Sequence, residues 1–185
     1  MNTKHGLTQN WISTKYVGIV KVMLGIAMLF ASAQIIIPIK PVAITMQTMA
    51  LSLIALTYST RLAFITVLSY IVAGAIGLPM FFAFRSGIDA LTGYSGGYLL
   101  GFLLATPLMA AIKQYFSKKF LGVTFTCLIG HIVIYFFGIL WLATFIGLKQ
   151  ALYSGLIIYI PSGIAKIIIF SYSYCYITNK KTASL

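Results

Sequence analysis

The sequence predicts an all-α integral membrane protein: a six-transmembrane-helix bundle with both termini cytoplasmic. Three observations predict it. The chain of 185 residues is 61% hydrophobic and only 8% charged. Its apolar runs of about 20 residues recur between short polar breaks, and its lysines and arginines gather in alternate breaks. About 20 apolar residues cross a hydrocarbon core of about 30 Å, so this length holds about six spans with short loops and leaves no soluble domain over.

The opening segment, residues 1–15, is a polar and basic cytoplasmic leader. The apolar run after it, Tyr16 to Ile37, is too long for a signal-peptide core and lacks a small-residue cleavage pattern, so it is expected to stay as the first helix. Residues 16–181 then form a single six-helix membrane domain, with further helices at about 44–59, 62–78, 96–113 and 121–147 and a last one ending near Asn179. A straight helix from Leu148 to Asn179 would be about 48 Å long, well beyond the hydrocarbon core, so this run must be interrupted. The stretch "IPSGIAK" at Ile160 to Lys166 supplies the break, because Pro161 cannot take a mid-helix hydrogen bond and Ser162 and Gly163 can turn or cap. The apolar "ALYSGLIIYI" before it is expected at the outer interface or folded over the bundle. The breaks "PIKPVA" and "RSGIDALTGYSGG" fall on the same outer side.

Placing both termini inside puts Lys4, Lys15, Lys21, Arg61, Lys113, Lys118, Lys119, Lys180 and Lys181 on inner segments and only Lys40, Arg85 and Lys149 on outer ones. That asymmetry fits the positive-inside rule. The formal net charge of +12 is therefore read as a set of topology determinants and not as a nucleic-acid patch.

Several chemistries are excluded or disfavoured. There is no G-x-x-x-x-G-K-[ST] phosphate loop, so the chain carries no ATPase of the usual kind. One carboxylate, Asp89, offers no acid pair, and two histidines, His5 and His131, are too scattered for a metal site; no metal and no cofactor is expected. An intramembrane enzyme would need a paired acid or a Ser/His/Asp set, which is missing. No catalytic residue is assigned. His131, in "LIGHIVIY", is read as a hydrogen-bonded packing residue ahead of a proton carrier. Cys127 and Cys175 fall inside apolar runs and are read as small core residues.

What remains is a polar cluster on the outer side. Arg85, Asp89, Ser95, Tyr98 and Lys166 could face one cavity, with Thr45, Gln47 and Thr48 near the start of the second helix. A charge at that depth is costly unless paired or wetted, so Lys166 is read as a site residue, with snorkelling to the headgroups as the alternative. The excess cation suits an anionic ligand. Asp89 either neutralises Arg85 at i,i+4 or contacts the ligand. Gly93, Gly97 and Gly101, spaced by four, form a small-residue stripe for close packing, while Gly93, Gly96 and Gly97 also allow backbone N–H groups to approach an anion at a helix start. Ala27 and Ala31 form a second small-xxx-small pair, on the first helix, suited to a partner helix.

"PVAITMQT" at 41–48, "AGAIGLP" at 73–79, "TGYSGGYLLGF" at 92–102 and "IPSGIAK" at 160–166 resemble, in order and spacing, the biotin-transporter S-component (BioY) family of energy-coupling factor (ECF) transporters. The family patterns are P-V-P-I-T-x-Q, G-x-x-G-L-P-V-F, G-P-T-G-G-Y-L-x-G-F and P-G-D-x-x-K. The resemblance implies a six-helix S component of the bacterial inner (plasma) membrane, multi-pass, capturing biotin from outside. Uptake would then be driven by a partner energising module, an ECF transmembrane scaffold with two ABC-type ATPases. The matching positions are Pro41, Thr45 and Gln47; Pro79; Gly93, Gly96, Gly97 and Tyr98; and Pro161 and Lys166. The scaffold-docking face falls on Ala27 and Ala31. Lys166 and Arg85 are the candidates for the biotin carboxylate.

Three departures stand out: Ala43 replaces a proline, Tyr94 and Ser95 replace a Pro-Thr pair, and Gly163 stands where the family has an acid. Loss of a charged acceptor in a buried site costs about 1.5–3 kcal/mol, roughly tenfold to a hundredfold in affinity. Asp89 and Ser162 are the candidates to compensate. A stand-alone importer of biotin or another small vitamin, with no ATPase partner, is the rival reading.

Overall fold

The computed structural model describes residues 3–116 and 119–183, with side chains from residue 16 to 180. Among the inner charges, Lys118 lies outside the described residues, as do the side chains of Lys4, Lys15 and Lys181. The described residues are mostly helical, as the all-α expectation has it, with one short hairpin besides. Helix α1 spans Thr3–Ala33, α2 Gln47–Thr57, α3 Thr60–Ala75, α5 Gly96–Ile112, α6 Phe120–Ile146 and α8 Ile160–Ala183, with short helices α4 at Ile88–Thr92 and α7 at Leu148–Leu152.

Helix α1 stops at Ala33, four residues before the expected end, because the β-branched run Ile35, Ile36, Ile37 leads into Pro38, which disfavours helix in the residue before it. Ile36–Ile37 instead forms strand β1, paired antiparallel with β2 at Ile44–Thr45. This hairpin takes the first residues expected of the second helix, so α2 begins at Gln47.

The apolar stretches Tyr16–Ala33, Gly96–Tyr115, Phe120–Ile146 and Leu148–Lys180 are long and apolar enough to cross a membrane. Helices α2 and α3 are shorter, 11 and 16 residues, or about 17 and 24 Å. Large apolar side chains lie exposed along the outside, among them Leu24 on α1, Leu104 on α5, Phe136 on α6 and Ile168 on α8. Such a girdle suits lipid and not water. The chain is a multi-pass membrane protein.

Helices α5 and α6 form the most extensive contact. Glycine permits it. A methyl group on Gly101 would stand 2.8 Å from Ile134 Cα, and one on Gly97 would meet Trp141 and stand 2.5 Å from the Phe137 carbonyl oxygen. The glycine stripe is thus a packing face. Leu29, Leu51, Ile54, Tyr70, Met109 and Leu142 fill the core, and a second apolar cluster holds Val123, Ile167 and Phe170 with Cys127 and Cys175. Both cysteines are core residues, as expected.

The last run is interrupted as expected, but the interruption lies just before "IPSGIAK", which itself forms the start of the final helix. After α7 the backbone widens into a π-turn at Tyr153–Ile157, and α8 starts at Ile160 with Pro161 in its first turn, where a missing N–H leaves no helix bond unmade.

Candidate ligand cavity

The irregular segments converge on one cavity of about 70 Å³. Strand β2 and its approach supply Ala43, Ile44 and Thr45; the first turn of α2 supplies Gln47 and Thr48. The segment before α4 brings Phe81 and Phe82. Helix α5 and the turn before it add Ser95, Tyr98 and Phe102. Helix α6 contributes Ile134 and Tyr135, and the last run Tyr159 and Lys166.

Lys166 sits in the second turn of α8 and is 8% exposed. Its ammonium donates to the Thr45 carbonyl oxygen at 3.1 Å. An ammonium has three donors, so two remain. Among the described residues no other charged side chain lines the cavity. Beside Lys166 stands the N-terminal turn of α2, whose aligned peptide dipoles add partial positive charge. A buried cation and a helix N-terminus facing one space favour an anion there.

The walls are held by a hydrogen-bond chain. Thr45 Oγ1 donates to Gln47 Oε1 at 3.0 Å, Gln47 Nε2 donates to Tyr70 Oη at 2.9 Å, and Tyr70 donates to the Met80 carbonyl at 2.7 Å. Gln47 is engaged at both ends of its amide, so it shapes the wall. Tyr98 donates to the Gly155 carbonyl at 2.9 Å and its ring stacks on Tyr159, centroids 6.4 Å apart. The Tyr159 hydroxyl in turn donates to the Val42 carbonyl. These two tyrosines therefore offer the cavity ring faces more than hydroxyls. Tyr135 differs: among the described residues its hydroxyl makes one bond, to the Tyr159 carbonyl, and that bond is 3.5 Å long.

Phe81 and Phe82 are presented by a strained turn in which Ala83 and Phe84 hold φ of 53° and 58°. Gln34, at the end of α1, holds it there. Its Nε2 donates to the Phe81 carbonyl at 3.1 Å and its Oε1 accepts from Phe84 N at 3.1 Å.

Of the polar residues singled out in the sequence, Thr45, Gln47, Thr48, Ser95, Tyr98 and Lys166 line this cavity. Gly96 and Gly97 lie against Trp141 of α6 instead; a methyl on Gly96 would stand 3.1 Å from Trp141 Nε1. Arg85 and Asp89 are exposed, outside the lining and without an ion pair between them. The Arg85 guanidinium lies 4.9 Å from the Phe82 ring centroid, at the rim of the site. His131 is buried with Nδ1 2.9 Å from the Cys127 carbonyl, the hydrogen-bonded packing arrangement expected of it. Ala27 and Ala31 lie exposed on α1. Sequence reasoning missed Gln34, Phe81, Phe82, Tyr135 and Tyr159. For the tyrosines a signal existed, since a phenol inside an apolar run needs a polar neighbour.

A sequence model of the BioY family matches residues 3–182. The chain belongs to the BioY family. A BioY relative from Rickettsia prowazekii, described as a probable biotin transporter, is 53% identical over 169 residues, which is 91% of this chain and 87% of that protein. Another, from Pyrococcus horikoshii and described likewise, is 35% identical over 145 residues, 78% of this chain and 86% of that protein. In three dimensions the chain is similar to the crystal structure of the S-component for biotin from an ECF-type ABC transporter. The TM-score is 0.81 over 90% of this chain and 93% of that one, at 24% identity. The two share a fold. The BioY sequence patterns "PVAITMQT", "TGYSGGYLLGF" and "IPSGIAK" are the segments that meet around the cavity.

Proposed function

We propose that this chain is the substrate-binding S component of an ECF transporter and captures biotin from the outside. The observation that carries this reading is a buried cation, Lys166, facing an aromatic cavity beside the N-terminus of α2 in a BioY-family chain. Biotin matches that chemistry with an apolar body and one carboxylate. Its carboxylate would take the open donors of Lys166, and its rings would lie among Phe82, Tyr98 and Tyr159. Ser95 and Thr45 would border the ligand, with Gln47 setting the wall and Gly96 and Gly97 holding α5 close to α6 behind it. Arg85, at the rim, would raise the local concentration of the anion, and Asp89 beside it would temper that charge.

In this reading all six long helices cross the inner membrane of a bacterium, with α2 and α3 completed by their flanking turns, and both termini are cytoplasmic. The exposed Ala27 and Ala31 would receive a transmembrane scaffold subunit carrying two ABC-type ATPases, which would supply the energy that this chain does not. The purified chain is expected to be stabilised against heat by biotin and not by a panel of other vitamins; stabilisation by another vitamin alone would assign a different substrate. Enlarging Ala27 and Ala31 to leucine is expected to abolish uptake in cells while leaving biotin binding unchanged. Undiminished uptake would favour a stand-alone importer.

A further inference from the structure

We infer that Tyr135 is a ligand-contact residue, its hydroxyl and the Lys166 ammonium holding the same carboxylate, and that Gly163 is there to make room for it. The inference rests on the biotin-binding reading. Tyr135 lines the cavity from α6 and Lys166 from α8. Gly163 and Lys166 are three residues apart on α8, so their Cα–Cβ directions fall on one face. A methyl on Gly163 would stand 2.6 Å from Tyr135 Oη, closer than any real contact of that kind. The phenol hydroxyl therefore occupies the space that a side chain at 163 would need. That space is open to it because residue 163 has no side chain.

The hydroxyl is also under-used. Phenol hydroxyls bond at about 2.7–2.8 Å when well partnered, whereas Tyr135 has only its 3.5 Å approach to the Tyr159 carbonyl. Tyr98, Tyr159 and Tyr70 all have firm acceptors. Tyr135 is thus the cavity phenol whose proton is available to a ligand. A carboxylate has two oxygens, and one bound to the ammonium leaves the other for a neutral donor.

The test is isothermal titration of the full-length chain with biotin and with biotinol, in which an uncharged hydroxymethyl group replaces the carboxylate. Tyr135→Phe is expected to weaken biotin about tenfold and biotinol by less than twofold. Gly163→Ala is expected to weaken biotin to a similar degree by displacing the hydroxyl, and the double variant by no more than either single one. Gly163→Ala, which keeps the phenol, reads out the pair on biotin against biotinol even where Tyr135→Phe folds poorly. If the parent binds biotin and Tyr135→Phe binds it as tightly, or loses biotinol equally, the inference fails and the biotin reading stands. A parent that binds no biotin overturns both.

Discussion

Helix α2 has a lysine at each end, and the two are satisfied in different ways. At its C-terminus the Lys113 ammonium donates to the carbonyls of Ala55 at 2.9 Å, Leu56 at 3.2 Å and Tyr58 at 2.6 Å. All three donors are used, and the negative end of the helix dipole welcomes the charge. At its N-terminus Lys166 makes one bond, to Thr45, and meets the positive end of the same dipole. Both lysines come from a neighbouring helix and both are drawn out of water. What separates a structural cation from a binding one here is therefore saturation, not depth. Lys113 closes its surroundings; Lys166 leaves them waiting for an anion.

The comparison breaks first at Lys166. Lys166→Ala is expected to weaken biotin by tenfold to a hundredfold, because an ion-assisted hydrogen bond in a dry cavity is worth about 1.5–3 kcal/mol. The unliganded chain should melt no lower than the parent, since the removed charge had one bond and an unfavourable dipole. An unchanged dissociation constant would take Lys166 out of the site. Lys113→Ala should do the reverse. Three carbonyls lose their donor, and unfolding stability should fall by about 1–3 kcal/mol while the folded fraction binds biotin as before. A loss of affinity without loss of stability would show that the two ends of α2 are not separate in role.

Much of this contrast was legible in the sequence, and the reasons it was not fully so are physical. The Lys166 position followed from geometry alone, because a run too long for the bilayer had to break near "IPSGIAK". The stripe Gly97 and Gly101 followed from spacing. The last few residues expected in the first helix became a strand through the Ile-Ile-Ile-Pro preference, a local cue outweighed by apolar length. Arg85 and Asp89 were expected near the ligand because they are charged and close in sequence to the glycines, yet whether a loop side chain turns inward depends on contacts far along the chain. Gln34 lay beyond reach for the same reason. Nothing around "FASAQI" reveals that its glutamine will grip a turn about fifty residues later.

That grip gives a smaller effect. Gln34→Leu removes both hydrogen bonds to the Phe81–Phe84 turn, whose positive φ values at Ala83 and Phe84 are sustained by its surroundings. With the turn free to relax, Phe81 and Phe82 should cease to be held against the cavity. Biotin affinity is expected to fall about threefold to tenfold with a faster off-rate, and stability to fall by about 1 kcal/mol. A Gln34→Glu variant keeps the acceptor for Phe84 N but loses the donor to Phe81, so it should fall between the two. Identical affinities for all three chains would show that the turn holds itself.

The smallest effect is expected at the chain's single carboxylate. Asp89 is exposed, in the first turn of α4, with no ion pair to Arg85. A solvated carboxylate in that position offers little beyond a favourable encounter with the N-terminus of a five-residue helix. Asp89→Asn should therefore leave stability within about 0.5 kcal/mol and biotin affinity within about twofold. Its one visible consequence should be kinetic: removing a negative charge beside Arg85 raises the positive potential at the rim, so the association rate for anionic biotin should rise slightly at low salt and return to the parent value as salt screens the rim. A fall in affinity of tenfold would instead place the carboxylate on the ligand, and would mean that the loop carrying Arg85 and Asp89 folds inward when the cavity fills.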